Sequence, residues 1–369
     1  MSTDEGRERR LRLGTRGSRL ALTQSGQVAD ALRQAAAAGA RAPGCDNLEL
    51  DLVTVRTDGD GDRTPLRQLG GVGVFAARLR HALLDGEVDL VVHSFKDLPT
   101  QPVEGLEVIC VPPREDPHDA LCARDGLTLA TLPDGARVGT GSPRRAAQLL
   151  AARPDLEVVD LRGNVPTRLA RVRGLEAVGV GTDEPVAPSQ ADAAGDLDAV
   201  VLALSGLRRL GLEHCASEVL DLETMLPAPA QGALAVEARA GEDSAELARA
   251  VAVLDDEPTR LAVTAERALM ARLGAGCAAP VGAWAHLRGG EQEQRVLVLR
   301  AVVTSLDGGQ EVGCELSTEL PEASGGPGAP GNTAAVRAAE ALGARAAEVL
   351  LEDGADQIVD LHANKPRRD

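Results

Sequence analysis

Aromatic side chains are almost absent from this chain of 369 residues, which contains two Phe, one Trp and no Tyr. Because 44% of the residues are nonetheless hydrophobic, the cores must be built from Leu, Val and Ala. The scarcity of rings also argues against a base-stacking platform, since proteins that bind single-stranded nucleic acid stack the bases on aromatic side chains.

Basic residues are also in deficit: 39 Lys and Arg stand against 56 Asp and Glu, a formal net charge of −17. So acidic a protein is not expected to bind nucleic acid or an anionic membrane by general electrostatic attraction. No apolar run approaches the roughly 18 residues that a membrane span requires, and the first ten residues, MSTDEGRERR, lack an apolar signal region. We therefore expect a cytoplasmic protein without a nucleic-acid or membrane partner.

The cysteines form no CxxC pair and have no His at the spacing of metal ligands. Cysteines scattered in this way predict neither a zinc site nor a disulfide framework, and no metal is expected. Most of them are expected to be small buried hydrophobic residues. They are Cys45, Cys110, Cys122, Cys215, Cys277 and Cys314.

The length exceeds what one hydrophobic core usually serves, so two or three domains are expected. Up to about residue 255, predicted strands alternate with predicted helices, which indicates mostly parallel sheets with helices on both faces. Two segments, PPREDP at 112–117 and MLPAPAQG at 225–232, look like crossings between domains. Beyond them, a helix at 258–272, three strands and a last helix at 333–352 are typical of an α+β unit.

Two crossings predict that the first domain is discontinuous and that the second is inserted into it. The expected fold class is α/β in three domains: two doubly wound α/β domains like those of periplasmic binding proteins, and a smaller α+β C-terminal domain. The predicted boundaries are residues 11–112 with 232–252 for domain 1, 113–231 for domain 2 and 253–369 for domain 3.

The segment VVHSFKDLPT places polar groups at the end of a buried strand. An apolar run ends at Val92 and is followed by Ser94, Lys96 and Asp97, and Pro99 stops the strand. Open α/β sheets bind ligands at this end of their strands. A carboxylate held there beside a cation suits proton transfer or the stabilisation of positive charge. The alternative is an ordinary Lys/Asp pair that closes a strand.

Arginines are concentrated between residues 131 and 175, where eight Arg face only four acidic residues. Several follow Gly or Ser at predicted strand-to-helix turns, where free N–H groups and the guanidinium both attract anions. The set predicts a ligand with several negative groups, and the alternative is a group of surface salt bridges. The arginines at such turns are Arg16, Arg144, Arg145, Arg162 and Arg168.

Cys277 lies in the loop GAGCAAPVG, after the helix predicted to end near Leu273. Small neighbours leave room for a bulky group to approach, and a thiolate is the best side-chain nucleophile near neutral pH. The alternative is an inert thiol in a loop of small residues.

Ten segments, in this order along the chain, resemble those of the porphobilinogen deaminase family, also called the hydroxymethylbilane synthases. The resemblance runs from about Leu11 to about Leu287 and more loosely to the C-terminus. The segments are TRGSRLALTQ, GGVGVF, VVHSFKDLP, REDPHDAL, GTGSPRRAAQL, LRGNVPTRL, LSGLRRLGL, LPAPAQGALAVE, RLAVTAERA and GAGCAAPVG.

This resemblance implies a monomeric three-domain transferase of tetrapyrrole (haem) biosynthesis. Such an enzyme joins four porphobilinogen molecules head to tail with loss of ammonia and frees 1-hydroxymethylbilane by hydrolysis. It also implies a dipyrromethane cofactor, held by a thioether to Cys277, that anchors the growing chain. Each pyrrole carries an acetate and a propionate, so the bound chain is a polyanion that suits the arginine-rich turns.

The resemblance also implies roles for individual residues. Asp97 would be the catalytic group, because a carboxylate under the ring nitrogens stabilises the positive charge that develops there. The implied cofactor-binding residues are Cys277, Lys96, Ser94, Thr140, Ser142, Arg144, Arg145, Arg162 and Gly163. The implied substrate-binding residues are Arg16, Ser18, Gln24, Arg168, Arg209 and Gln231.

The sequence departs from the family pattern at a few places. Val72 and Gln68 stand where many relatives carry lysine, and the segment 175–197 is longer than the expected connection. A second hypothesis is a non-catalytic two-lobed protein that binds a polycarboxylate, and a third is an inactive relative. A binding module would require neither Cys277 nor Asp97.

Overall fold

The computed structural model of the chain describes residues 10–39, 48–55, 74–175, 195–241, 244–276, 278–289, 294–321 and 333–361. Over these ranges it contains three β-sheets with helices packed on them, so the predicted α/β class is confirmed. Within the same ranges, no helix combines the length and the apolar character needed to cross a membrane.

The elements follow one another in three groups. The first is β1 (Leu11–Thr15), α1 (Arg19–Gly39), β2 (Leu50–Thr54), α2 (Val74–Leu84), β3 (Leu90–Ser94) and β4 (Leu106–Cys110). The second is β5 (Asp119–Ala123), β6 (Arg137–Gly139), α3 (Pro143–Ala152), β7 (Glu157–Val159), α4 (Val165–Leu169), β8 (Ala199–Ala203), α5 (Leu204–Arg209) and β9 (Glu218–Val219). The third is β10 (Leu234–Arg239), α6 (Ala245–Leu254), α7 (Glu257–Leu273), β11 (Val281–Arg288), β12 (Val296–Thr304), β13 (Glu311–Glu319), α8 (Thr333–Glu352) and α9 (Ala355–Ile358).

The first sheet has the strand order β2-β1-β3-β10-β4. β10 follows the second crossing yet lies between β3 and β4, so this sheet is assembled from two separate stretches of the chain. Leu32 of α1, Leu90 of β3 and Val236 of β10 are buried together in its core. The second sheet, β7-β6-β8-β5-β9, is formed by residues between the two crossings. The domain boundaries given above stay predictions.

The expectation of mostly parallel sheets is wrong for half of the strand pairs. β1 runs parallel to β2 and β3, and β6 runs parallel to β7 and β8. β10 is antiparallel to β3 and β4, and β5 is antiparallel to β8 and β9. The reason is that β5 and β10 each follow a crossing directly, whereas a parallel pair within one unit requires a crossover connection, usually a helix.

The C-terminal sheet is antiparallel, in the order β11-β12-β13, and α7 and α8 pack against it. The two helices approach so closely that a Cβ on Gly343 would lie 2.1 Å from the carbonyl oxygen of Ala265. Leu269, Leu299 and Ala346 belong to the core that they enclose. Close contact between small residues thus gives this core its density without aromatic rings.

The cysteines of the described ranges are mostly buried. Cys110, Cys122 and Cys215 are buried and Cys314 is partly exposed. Burial is the main cause that raises the pKa of Cys110 and of Cys122 to about 12, so these thiols are unreactive near neutral pH. Cys277 lies outside the described residues.

Candidate functional site

Lys96 and Asp97 lie on a short 3₁₀ turn, Phe95–Asp97, that follows β3 directly; we refer to it as the 95–97 turn. The backbone N–H of Phe95 donates to the carbonyl of Ala233 at 3.0 Å, beside β10. The Phe95 ring is buried, whereas Asp97 is exposed. The predicted strand therefore ends as expected, and Asp97 presents its carboxylate just beyond the carboxyl end of β3.

Lys96 reaches from this turn to the second crossing. Its Nζ donates to Oε1 of Gln231 at 3.1 Å. Burial lowers the pKa of Lys96 to about 8; the charges of Arg145 and Arg144 lower it as well, while Asp97 and Asp119 oppose them. The Lys96 side chain is therefore a cation that loses its charge as the pH rises through about 8.

Asp119, at the start of β5, is fully buried among cationic and amide donors. Its carboxylate accepts from Nη2 of Arg144 and Nη2 of Arg145, each at 2.7 Å, and from Nε2 of Gln231 at 2.8 Å. Burial alone would raise the pKa of Asp119, but the two arginines and these hydrogen bonds hold it well below its ordinary value. We refer to these four residues as the Asp119 cluster.

Arg144 and Arg145 are held in the protein interior. Arg144 also donates to the carbonyl of Leu226 at 2.6 Å, and Arg145 to that of Val201 at 3.1 Å. Two guanidinium groups against the Asp119 carboxylate leave one net positive charge in the cluster. Ion pairing thus orients the pair in advance, and their contact with ligand carboxylates stays a prediction.

The N-terminus of α3 is built as the sequence predicted. Ser142 caps the helix by accepting from the N–H of Arg145 at 3.5 Å, and Pro143 occupies the first turn. Thr140 accepts from the N–H of Ser142 at 3.2 Å. The hydroxyls of Thr140 and Ser142 therefore organise the turn that carries Arg144 and Arg145.

A second arginine-bearing turn leads into α4. Asn164 caps this helix by accepting from the N–H of Thr167 at 2.9 Å, and Gly163 has a φ of 106°, which favours glycine. Arg168 donates to the carbonyl of Gly163 at 2.8 Å. Asn164 was not among the predicted residues, although its place before a first-turn proline is a capping signal.

The Arg168 side chain, beside the second sheet, interacts electrostatically with Asp97 of the 95–97 turn. Burial is the main cause that lowers its pKa to about 10; Arg145 and Arg162 lower it further, and Asp160 and Asp97 oppose them. We refer to the first sheet with its helices as the first lobe and to the second sheet with its helices as the second lobe. Asp97 of the first lobe and Arg168 of the second therefore interact electrostatically. We refer to the region in which the 95–97 turn is within electrostatic reach of the arginines of the second lobe as the cleft.

The first lobe contributes the start of α1. Ser18 accepts from the N–H of Ala21 at 3.3 Å, which caps the helix next to Arg16. Gln24, one turn later and 5% exposed, accepts from the hydroxyl of Ser94 at 3.1 Å. Ser94 and Gln24 thus join the 95–97 turn to α1.

Gln231 and Arg209 lie at the second crossing. Gln231 is buried, and its amide N–H also donates to the carbonyl of Pro117 in the first crossing at 2.8 Å. Arg209 donates to the carbonyl of Gly232 at 2.6 Å, and burial lowers its pKa. Gln231 thus joins the two crossings, and Arg209 joins α5 to the second crossing. Their contacts with substrate stay predictions.

Several charged residues without a predicted role are buried or partly buried, Asp119 among them. Two others pair with each other: the partly buried Arg114 of the first crossing and the buried Glu266 of α7, through Nη1 and Oε1 at 2.7 Å. Glu266 also accepts from the N–H groups of Ala230 and Ala285 at 2.5 and 2.7 Å. Arg114 and Asp119 both lie within REDPHDAL, but only the fold shows which charged residues they contact.

The comparison with family profiles covers nearly the whole chain. The profile described as "Porphobilinogen deaminase, dipyromethane cofactor binding domain" matches residues 11–247, and the one described as "Porphobilinogen deaminase, C-terminal domain" matches residues 260–352.

Curated relatives agree with this match. A porphobilinogen deaminase of Cutibacterium acnes is 51% identical over 361 residues, which are 97% of this chain and 99% of that protein. Porphobilinogen deaminases of Micrococcus luteus and Thermobifida fusca are 49% and 48% identical, over 97% and 94% of this chain and 98% and 95% of those proteins. Among solved structures, the ectoine binding protein TeaA is similar with a TM-score of 0.33 and 10% identity, over 66% of this chain and 77% of that one.

Proposed function

The chain belongs to the porphobilinogen deaminase family, and from this premise we propose that it condenses four porphobilinogen molecules head to tail and releases 1-hydroxymethylbilane. The family is that of a transferase of the tetrapyrrole pathway, and residues 11–247 match its dipyrromethane-binding domain. The observation that carries the proposal is the hydrogen-bonded link from Lys96 through Gln231 to Asp119, whose carboxylate also pairs with Arg144 and Arg145. We also propose that the protein is a cytoplasmic monomer.

The residues of the cleft fit a dipyrromethane that carries acetate and propionate groups. The donors are guanidinium, ammonium and hydroxyl groups, and the Nε of Arg144 is buried without a hydrogen-bond partner within the described part of the chain. We propose that Arg144, Arg145, Arg162 and Lys96 hold the cofactor's carboxylates and that Cys277 bonds to it covalently. When bound, the dipyrromethane supplies the first nucleophilic carbon and the anchor for chain growth.

Asp97 performs the charge-stabilising role in this proposal. Loss of ammonia from porphobilinogen leaves positive charge that spreads to the ring nitrogen. The exposed carboxylate of Asp97 stabilises that charge and accepts a proton from the nitrogen or the α-carbon. Arg168, within electrostatic reach of Asp97, binds a substrate carboxylate.

Lys96 makes the binding of pyrrole carboxylates in the cleft dependent on pH. Because the pKa of Lys96 is about 8, the ammonium that attracts carboxylates is present below this pH and is lost above it. We expect kcat/KM for porphobilinogen to fall above pH 8, by up to about tenfold per pH unit. Lys96→Arg keeps its charge throughout this range, so the fall near pH 8 should disappear even where the absolute rate is lower.

The measurement is kcat/KM between pH 6.5 and 9.5 for the wild type and Lys96→Arg. Substrate ionisation is the same for both proteins, so the difference between the profiles isolates the Lys96 side chain. An identical alkaline limb in both would assign the titration to another group.

The reaction itself distinguishes an enzyme from a binding module. Ammonia and 1-hydroxymethylbilane are measured after porphobilinogen is added to the purified protein. The proposal requires four ammonia molecules for each bilane, with substrate in large excess over protein. Stoichiometric binding of porphobilinogen without ammonia would instead support the polycarboxylate-binding alternative.

A further inference from the structure

Arg267 of α7 is hydrogen-bonded to the backbone of the 95–97 turn. Its Nη1 donates to the carbonyls of Leu98 at 2.7 Å and Phe95 at 3.3 Å, and its Nη2 donates to the carbonyl of Pro99 at 2.8 Å. The guanidinium of Arg267 thus binds carbonyls on both sides of Lys96 and Asp97. A residue of the C-terminal domain thereby fixes the ends of a turn that belongs to the first sheet.

The same guanidinium also covers the ring of the turn. The Cζ of Arg267 lies 4.4 Å from the centroid of the Phe95 ring, a cation–π geometry. Phe95 is buried against Val263, one turn earlier on α7. Backbone and side chain of the 95–97 turn are therefore both held by α7.

The adjacent residue on α7 holds the crossings. Glu266 pairs with Arg114 of the first crossing and accepts from the N–H of Ala230 in the second. Consecutive residues of one helix therefore hold the 95–97 turn and the two connections between the lobes. This makes α7 the common support of the carboxylate and of the arginine-rich lobe that faces it.

We propose that Arg267 is a positioning residue, which keeps Asp97 in its productive place without contacting the substrate. The proposal rests on the role of Asp97 in the proposed function. A displacement of a catalytic group by about 1 Å can reduce the rate by about 100-fold. Without Arg267, three carbonyls around the turn lose a cationic donor, and the turn can shift.

The test compares Arg267→Ala and Arg267→Lys with Arg272→Ala. Arg272 is an exposed residue of the same helix that pairs with Glu348 of α8 at 3.3 Å. Cofactor content is measured by intact mass, and rates are expressed per cofactor-bearing molecule. For Arg267→Ala we expect kcat to fall by about 10- to 100-fold, with KM within about threefold of the control.

Chemical rescue of kcat distinguishes a residue that positions Asp97 from one that only stabilises the fold. A cavity of about 300 Å³, lined by Arg267, Phe95, Pro99 and Glu237, adjoins the guanidinium. Methylguanidinium added to Arg267→Ala should therefore restore part of the lost kcat, and it should not stimulate Arg272→Ala. Arg267→Lys, which keeps a cationic donor, should be intermediate between the wild type and Arg267→Ala.

Several outcomes would overturn the inference. They are a kcat of Arg267→Ala equal to that of Arg272→Ala, a rise in KM at unchanged kcat, or a lost kcat that neither methylguanidinium nor lysine recovers. If Arg267→Ala does not fold, a kcat of Arg267→Lys equal to that of Arg272→Ala would do the same. A wild type that releases no ammonia would instead overturn the proposed function.

Discussion

Cys277→Ser is expected to carry no cofactor and to make no 1-hydroxymethylbilane. A Ser hydroxyl is a far weaker nucleophile than a thiolate near neutral pH, so the covalent bond to the dipyrromethane cannot form. The measurement is the intact mass of the purified protein under denaturing conditions. The wild type should exceed its sequence mass by two linked pyrrole units, and Cys277→Ser should have the bare sequence mass.

Cys314→Ser is the matched control for this substitution. Cys314 lies in β13 of the same domain, and burial is the main cause that raises the pKa of its thiol to about 11, so it is a poor nucleophile. Cys314→Ser should keep both the added mass and the activity. A Cys277→Ser protein with full activity, or with the added mass, would disprove attachment at Cys277.

Asp97→Asn is expected to reduce kcat by about 10²- to 10⁴-fold with little effect on the fold. Asparagine has nearly the same shape but carries no charge, so it stabilises neither the positive ring nitrogen nor its proton. Because Asp97 is exposed, the free energy of unfolding should change little. Single-turnover kinetics with porphobilinogen and thermal unfolding are the two measurements, again per cofactor-bearing molecule.

Asp85→Asn provides the control for charge alone. Asp85 follows α2 in the same domain and is equally exposed, but it lies outside the cleft. Its removal should leave kcat unchanged. If Asp97→Asn and Asp85→Asn have the same kcat, Asp97 is not the catalytic group, and the role of the cleft must be assigned to other residues.

Local sequence signals predicted much of the secondary structure. The last helix, at 333–352, has the predicted bounds, and the helix predicted at 258–272 spans 257–273. These elements follow from periodicity and capping residues close to them in sequence. The antiparallel direction of β10 relative to β3 and β4 was not predicted, because it depends on the path that the second crossing takes in the folded protein.

The candidate site likewise combines residues predicted from local sequence with contacts that only the fold reveals. Asp97 and Lys96 were recognised because strand, polar residues and proline are neighbours in sequence. The partner of Arg144 and Arg145 was not recognised, because Asp119 reaches them from β5 only after the second sheet has formed. The contacts of Arg267 could not be predicted for the same reason, since they are made with backbone carbonyls about 170 positions earlier in the chain.

The α/β class, the family and the residues on which the chemistry is proposed to depend can all be predicted from the amino-acid sequence alone. Those properties are encoded in local periodicity and in short segments whose order does not depend on folding. Contacts between charged groups depend on the three-dimensional fold. It places Asp119 against two arginines, buries Lys96 so that its pKa falls to about 8, and brings α7 to the 95–97 turn. Pairing and burial arise between residues distant in sequence, and the free energy of a charge depends on what surrounds it.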